Sequence, residues 1–220
     1  MNTDVPLSDS IPLPARLCPT SPCGEFSVMP DEWVTIVSGL PRSGTSLMMQ
    51  MLQAGGMKLL TDERRAADQN NPRGYFEYEA VKRSGTDVSW LGLAGGRVVK
   101  VIHSLLRHLP ADRPYRVIFM LRDVQEVVTS QRVMLKSSGR SGAQIPDDKL
   151  AAVFEQQLLE VRRWLAERPN FRVLYVSYRD VLSDPFAAAQ PIVLFLGGRL
   201  DVSAMAGAVD RTLYRQRRAS

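Results

Sequence analysis

The stretch Val34-Thr-Ile-Val-Ser-Gly-Leu-Pro-Arg-Ser-Gly-Thr-Ser-Leu47 sets a short apolar run directly before a glycine-bounded turn, with a helix-forming stretch directly after it. Four residues separate Gly39 from Gly44. This is the spacing of a phosphate-binding loop, in which backbone N–H groups turn inward to meet an anion at a helix N-terminus. A glycine pair at this spacing also serves an ordinary strand-to-helix turn, so the flanks decide. Val34, Ile36 and Val37 fit a buried strand, while Leu47, Met48, Met51 and Leu52 recur at helical spacing. The turn therefore lies where a phosphate cradle must lie. The position that carries lysine in nucleotide triphosphatases holds Thr45, followed by Ser46 at the hydroxyl position, and a basic side chain stands inside the loop as Arg42. Phosphate binding is expected from this loop; ordinary ATP hydrolysis is not.

Outward from the loop, four further segments read as strands: Met57 to Leu60, Val98 to Ile102, Tyr115 to Leu121 and Phe171 to Val176. The last three are continuous apolar runs suited to a parallel sheet buried on both faces. Asp147 to Glu167 reads as the clearest helix. In it Leu150, Val153, Phe154, Leu158, Val161, Trp164 and Leu165 trace an apolar stripe opposite Gln156, Glu160, Arg163 and Glu167. Strands alternating with helices, joined by right-handed crossovers, predict a P-loop-type three-layer α/β/α fold with a mostly parallel central sheet and ligands at the carboxyl ends of its strands. Residues 1–31 contain Pro6, Pro12, Pro14, Pro19, Pro22 and Pro30 with little apolar periodicity, and read as a flexible arm before one domain over 32–220. Ser138 to Pro146, with two glycines and no apolar face, reads as a surface loop or a loop able to close over a site.

A length of 220 residues, 45% apolar and 23% charged, suits one soluble α/β domain. No apolar leader or membrane-length run is found, so the cytoplasm is the expected compartment. Cys18 and Cys23 have no neighbouring His or Cys with which to form a metal site and are expected to be reduced. The net charge of +5 comes without a nucleic-acid reader motif, which points to a small, multiply anionic ligand rather than to nucleic acid.

Directly after the strand at Tyr115–Leu121 comes Arg122, with Ser130 eight residues on. Eight residues is a little over two helical turns, so both can face one ligand, the arginine giving bidentate charge and the serine a hydroxyl. With the glycine loop, this pair implies a ligand with two separate anionic ends. At this point the chain resembles the sulfotransferases that use 3′-phosphoadenosine 5′-phosphosulfate, most of all their compact bacterial members. The resemblance runs from Val34 to Arg217, through Pro41-Arg-Ser-Gly-Thr45, Asn71-Pro-Arg-Gly-Tyr-Phe-Glu77, Ser177-Tyr-Arg-Asp-Val-Leu-Ser-Asp-Pro185 and Val209-Asp-Arg-Thr-Leu-Tyr-Arg215.

The resemblance implies donor binding by Pro41, Arg42, Ser43, Gly44, Thr45 and Ser46 at the 5′-phosphosulfate and by Arg122 with Ser130 at the 3′-phosphate. It places Tyr178 near the adenine or ribose. It also implies that no metal is needed, leaving Asp123 without a magnesium role. Arg42, and Lys100 at a strand end, are expected to neutralise charge on the leaving phosphate. The acceptor must lose a proton, and two candidates for the base stand open. Glu63 occupies the place of the glutamate in sulfotransferases with an Arg-Ser-Gly-Thr loop, and Asp62 would serve if that loop were shifted by one. His103 follows Lys100 by three residues, where cytosolic members place their histidine two residues after the lysine. The glycine-rich motif that closes the 3′-phosphate site in cytosolic members is missing, and Arg211, Arg215 or Arg217 would substitute, Arg215 being preferred. No residue pattern identifies the acceptor, small or carrier-bound, or the oligomeric state. Two other readings remain: a magnesium-dependent P-loop kinase using Ser46 and Asp123, and a non-catalytic nucleotide-binding module.

Overall fold

The computed structural model describes residues 33–62, 71, 74–137 and 145–210. Five parallel strands form its centre: β1 (Val34–Gly39), β2 (Lys58–Leu60), β3 (Arg97–Lys100), β4 (Tyr115–Leu121) and β5 (Phe171–Ser177), in the spatial order β2-β3-β1-β4-β5. The expected runs are thus strands, the second beginning at Lys58 and the third stopping at Lys100. Beyond Lys100 the Val101 N–H still bonds to the Val37 carbonyl, but the chain then bends away into a 3-10 turn over His103–His108.

Alternation along the strands divides the core between the two faces of the sheet. Ile36, Val99, Val117 and Phe119 face Val161 and Leu165 of α3 (Asp147–Ala166), together with Trp90 and Leu106 of the 3-10 turns. Val37, Val98, Ile118 and Met120 face the other way. They pack on Met48 and Leu52 of α1 (Thr45–Ala54), Val181 of α4 (Tyr178–Ser183), Ile192 of α5 (Pro185–Phe195) and Met205 of α6 (Val202–Gly207). With both faces covered, β4 carries apolar residues at nearly every position and Val117 to Met120 are fully buried, as a central parallel strand requires.

The stripe expected on α3 holds only in its second half. Val161 and Leu165 are buried and Trp164 meets Phe171 edge-on at 5.2 Å, but Val153 is 48% exposed. The first turn is tied to α2 (Val124–Ser137) by the Arg132–Asp147 ion pair.

Strand order reverses beside β1, whose neighbours β3 and β4 lead to opposite edges of the sheet. A crevice opens beyond the carboxyl ends of strands at such a switch point. Short capping signals set the helices that border it. Ser177 Oγ accepts from the Asp180 N–H at the start of α4, and Asp184 accepts from the Ala187 N–H ahead of Pro185, a residue pre-set for a first helical turn.

Candidate active site

A cleft of about 540 Å³ occupies this switch point, bounded by the β1–α1 loop, the ends of β3 and β4, one face of α2 and the segment around Tyr75–Tyr78. The loop from Gly39 to Gly44 turns through backbone conformations that most residues avoid. Gly39 has φ 148° and Gly44 φ 99°, and Arg42 itself lies in the left-handed region at φ 68°. Such conformations persist only where surrounding contacts enforce them. A Cβ on Gly44 would stand 2.4 Å from the Tyr178 ring, and one on Gly39 2.5 Å from Ser43 Oγ. Gly44→Ala therefore combines a steric clash with backbone strain and is expected to cost about 2–4 kcal/mol of stability, which thermal unfolding will measure.

Arg42 ties the loop to the far wall. Its Nε donates to Ser130 Oγ at 3.0 Å, and its backbone carbonyl accepts from Arg122 Nη1 at 3.0 Å. Arg122 is held on two further sides: Nε donates to Glu126 Oε2 at 3.0 Å, with both side chains nearly buried, and the guanidinium lies 4.6 Å from the centre of the Tyr178 ring. Tyr178 opens α4 directly after β5, so the strand end delivers its ring beneath Arg122. Burial, the largest cause, raises the Tyr178 pKa and keeps the hydroxyl protonated, with Arg122 opposing. Glu126 and Ser130 are one helical turn apart on α2 and both buried. The expected Arg122–Ser130 pair thus forms one wall of the cleft with Arg42 and Tyr178.

The opposite wall is built on Lys100. Strand β3 ends there in register with Val37, and Nζ donates to the Tyr75 carbonyl at 2.8 Å and to Ser46 Oγ at 3.0 Å. Asn71 Nδ2 also reaches Ser46 Oγ at 2.9 Å. A lysine thus stands beside the loop at the end of the neighbouring strand, two residues before the bend of the chain. Pro41, Gly44, Thr45, Ser46, Arg42, Lys100, Arg122, Ser130 and Tyr178 all line the one cleft, whereas Ser43 lies beneath it with a buried Oγ.

Three other candidates lie elsewhere. His103 is 6% exposed, does not line the cleft, and its Nε2 pairs with Gln157 Oε1 on α3 at 3.1 Å. Asp62 accepts from the Glu79 N–H, and Asp123 Oδ1 accepts from the Glu126 N–H at 3.0 Å as a cap on α2. Glu63, Arg211, Arg215 and Arg217, with Cys18, Cys23 and 138–144, lie outside the described residues.

Burial lowers the His103 pKa, opposed by its bond to Gln157 and by the Gly39 backbone. A neutral buried histidine contributes stability above the ordinary value of about 6.5, which is lost as pH falls through the depressed folded value, because the unfolded chain then binds more protons. The melting temperature of the wild type should therefore fall more steeply below pH 6.5 than that of His103→Gln; parallel curves would refute this.

Glu77, Tyr78, Lys82, Gln50 and Gln131 also line the cleft without having been singled out by sequence. Asn71 to Glu77 belongs to the segment that carries the resemblance, but it has no apolar period from which an inward-facing residue could be picked.

A sulfotransferase domain profile matches residues 34–219, from the first residue of β1 to beyond the last described helix. The chain belongs to the sulfotransferase domain family, and is an enzyme of sulfuryl transfer. Comparison with curated protein sequences gives no match. Among solved structures it is similar to the sulfotransferase domain of the Synechococcus PCC 7002 olefin synthase (18% identity, 81% of this chain and 78% of that one, TM-score 0.45). It is similar also to the sulfotransferase domain of the curacin biosynthetic pathway (13%, 82% and 88%, 0.48). A third is retinol dehydratase in complex with androsterone and the inactive cofactor PAP (16%, 82% and 64%, 0.47). No helix among the described residues is long and apolar enough to cross a membrane.

Proposed function

We propose that the protein transfers the sulfuryl group of 3′-phosphoadenosine 5′-phosphosulfate to a hydroxyl or amine of a small or carrier-bound acceptor. The observation that carries this reading is the meeting of two anion-binding sets in one cleft: the loop Arg42–Ser46 with Lys100, and Arg122 with Ser130 over Tyr178. A donor with phosphates at two ends of a nucleoside is the ligand class these sets fit. The loop N–H groups and the α1 N-terminus receive the 5′-phosphosulfate, and the guanidinium of Arg122 receives the 3′-phosphate. Arg215 is proposed as a further 3′-phosphate ligand. Val81, Leu105, Val133 and Met134 also line the cleft and offer apolar surface for the body of the acceptor.

Calorimetric titration with adenosine 3′,5′-bisphosphate in EDTA, beside ATP with magnesium, tests the reading. Metal-free binding of the bisphosphate in preference to ATP is the expected result. Preference for magnesium ATP would overturn it and favour phosphoryl transfer.

A further inference from the structure

We propose that Glu77 is the catalytic base that takes the acceptor's proton, an inference that rests on the sulfuryl-transfer reading above. Among the described residues lining the cleft, the acidic side chains are Glu77 and Asp210. Glu77 is the one built into the wall that carries Lys100. The Tyr75 carbonyl, two residues before it, accepts from Lys100 Nζ at 2.8 Å, so this stretch is fixed to the same ammonium that faces the donor loop. The Glu77 carbonyl is fixed in turn by Thr61 Oγ1 at 2.9 Å and by the Asp62 N–H at 3.3 Å, at the end of β2.

Between these two anchors, Phe76 adopts φ 53°, a left-handed conformation that is strained for a bulky side chain. Its ring packs partly buried into the core on the α1 side of the sheet. The twist at Phe76 therefore sends its ring into the core and leaves Glu77 at the cleft, a placement that an ordinary extended residue at 76 would not give. Backbone strain next to a cleft-lining residue persists only where surrounding contacts enforce it, and here those contacts fix the backbone on both sides of Phe76 and with it the position of Glu77. The carboxylate retains solvent contact, with 24% of its side chain exposed and Lys82 Nζ 3.6 Å away, so a proton received there can leave to water. Lys82 is shared with Glu79 at 2.7 Å, which raises the lysine pKa and keeps its charge in place.

The step is an in-line displacement at sulfur. The acceptor oxygen forms a bond to sulfur as its proton passes to a Glu77 carboxylate oxygen. The bond from sulfur to the bridging oxygen breaks, and its electron pair leaves with adenosine 3′,5′-bisphosphate. The products are the sulfate ester and a neutral Glu77, which returns its proton to solvent.

A base matters for an acceptor that holds its proton at working pH and not for one already ionised. Transfer from radiolabelled 3′-phosphoadenosine 5′-phosphosulfate is therefore measured at alkaline pH to p-nitrophenol, and separately to a mixture of ethanol, 1-octanol and glucose, in the wild type, Glu77→Gln, Glu77→Asp and Glu63→Gln. Glu77→Gln is expected to bind the bisphosphate as the wild type does and to transfer to p-nitrophenol within about threefold. Its transfer to alcohols should drop by about 100-fold or more, with Glu77→Asp partly restoring it. Equal loss for both acceptor types would mean a structural role and would overturn the assignment. So would alcohol transfer that survives in Glu77→Gln and disappears in Glu63→Gln, or a wild type that acts on p-nitrophenol and on none of the alcohols. Absence of bisphosphate binding in the wild type is a separate result and defeats the sulfuryl-transfer reading itself.

Discussion

Arg122→Ala should raise the dissociation constant for adenosine 3′,5′-bisphosphate by about 30- to 1,000-fold, equivalent to about 2–4 kcal/mol, while changing that for adenosine 5′-phosphate far less. The contrast follows from where the side chain is held. Tyr178 lies against one face, Glu126 takes Nε, and the Arg42 carbonyl takes Nη1, so the guanidinium meets a ligand without having to be ordered first. Only the 3′-phosphate distinguishes the two nucleotides, and only a ligand at that end should register the change.

The same contacts make the single variant ambiguous, because it also takes the arginine from Glu126, a carboxylate only 10% exposed in its side chain. Losing one partner of a buried pair costs about 3–5 kcal/mol of stability, much of it for the uncompensated charge left behind, and removing both partners spares that part. The double variant Arg122→Ala, Glu126→Ala should therefore recover much of the lost melting temperature and none of the lost affinity. If affinity returns along with stability, Arg122 serves the fold and not the ligand.

How much of this was legible in the sequence depends on whether the decisive contact is local. The loop from Gly39 to Ser46 and its flanks are contiguous, so the glycine spacing and the two apolar periods were enough to place it between β1 and α1. The strand β4 is buried on both faces and β5, at the sheet edge, is half-buried; both were readable as apolar runs. The second anion-binding set was readable because Arg122 and Ser130 are joined by one helix, whose geometry fixes their relation. Arg42 belongs to the contiguous loop, yet its bond to Ser130 spans 88 residues and no periodicity reports it.

Lys100 shows the same limit. Its place at a strand end was visible, but its bonds to Ser46 and Tyr75 depend on β3 lying beside β1 in parallel register, a pairing of Val37 with Lys100, 63 residues on, that no local pattern encodes. For Glu77 the informative feature is the backbone of Phe76. A left-handed conformation at phenylalanine is imposed by tertiary anchors at Thr61, Asp62 and Lys100 and leaves no trace in composition. Asn71 likewise reaches Ser46 from a segment without period. His103 illustrates the converse: its spacing from Lys100 was suggestive, but the chain turns at Ile102 and carries the ring under α3 to Gln157.

Lys100→Met should weaken binding of adenosine 3′,5′-bisphosphate by about tenfold and lower the rate of sulfuryl transfer to p-nitrophenol far more, by about 100- to 1,000-fold. The bisphosphate lacks the sulfuryl group and carries the former bridging oxygen as a 5′-phosphate oxygen already charged in water, so its binding reports only part of the stabilisation of charge that develops as that bond breaks. Lys100 Nζ, held between Ser46 Oγ and the Tyr75 carbonyl at the open end of the loop, is placed to meet that charge. Methionine keeps most of the apolar stem, so packing around β3 should survive, and an unchanged melting temperature will verify it. Arginine at the same position retains the charge but cannot occupy a point contact between two oxygens with the same geometry, so Lys100→Arg should recover only part of the rate. A rate that stays near wild type in Lys100→Met would assign the lysine to anchoring Tyr75 alone. The charge on the leaving phosphate would then have to be met by Arg42, and the matching loss should appear in Arg42→Met.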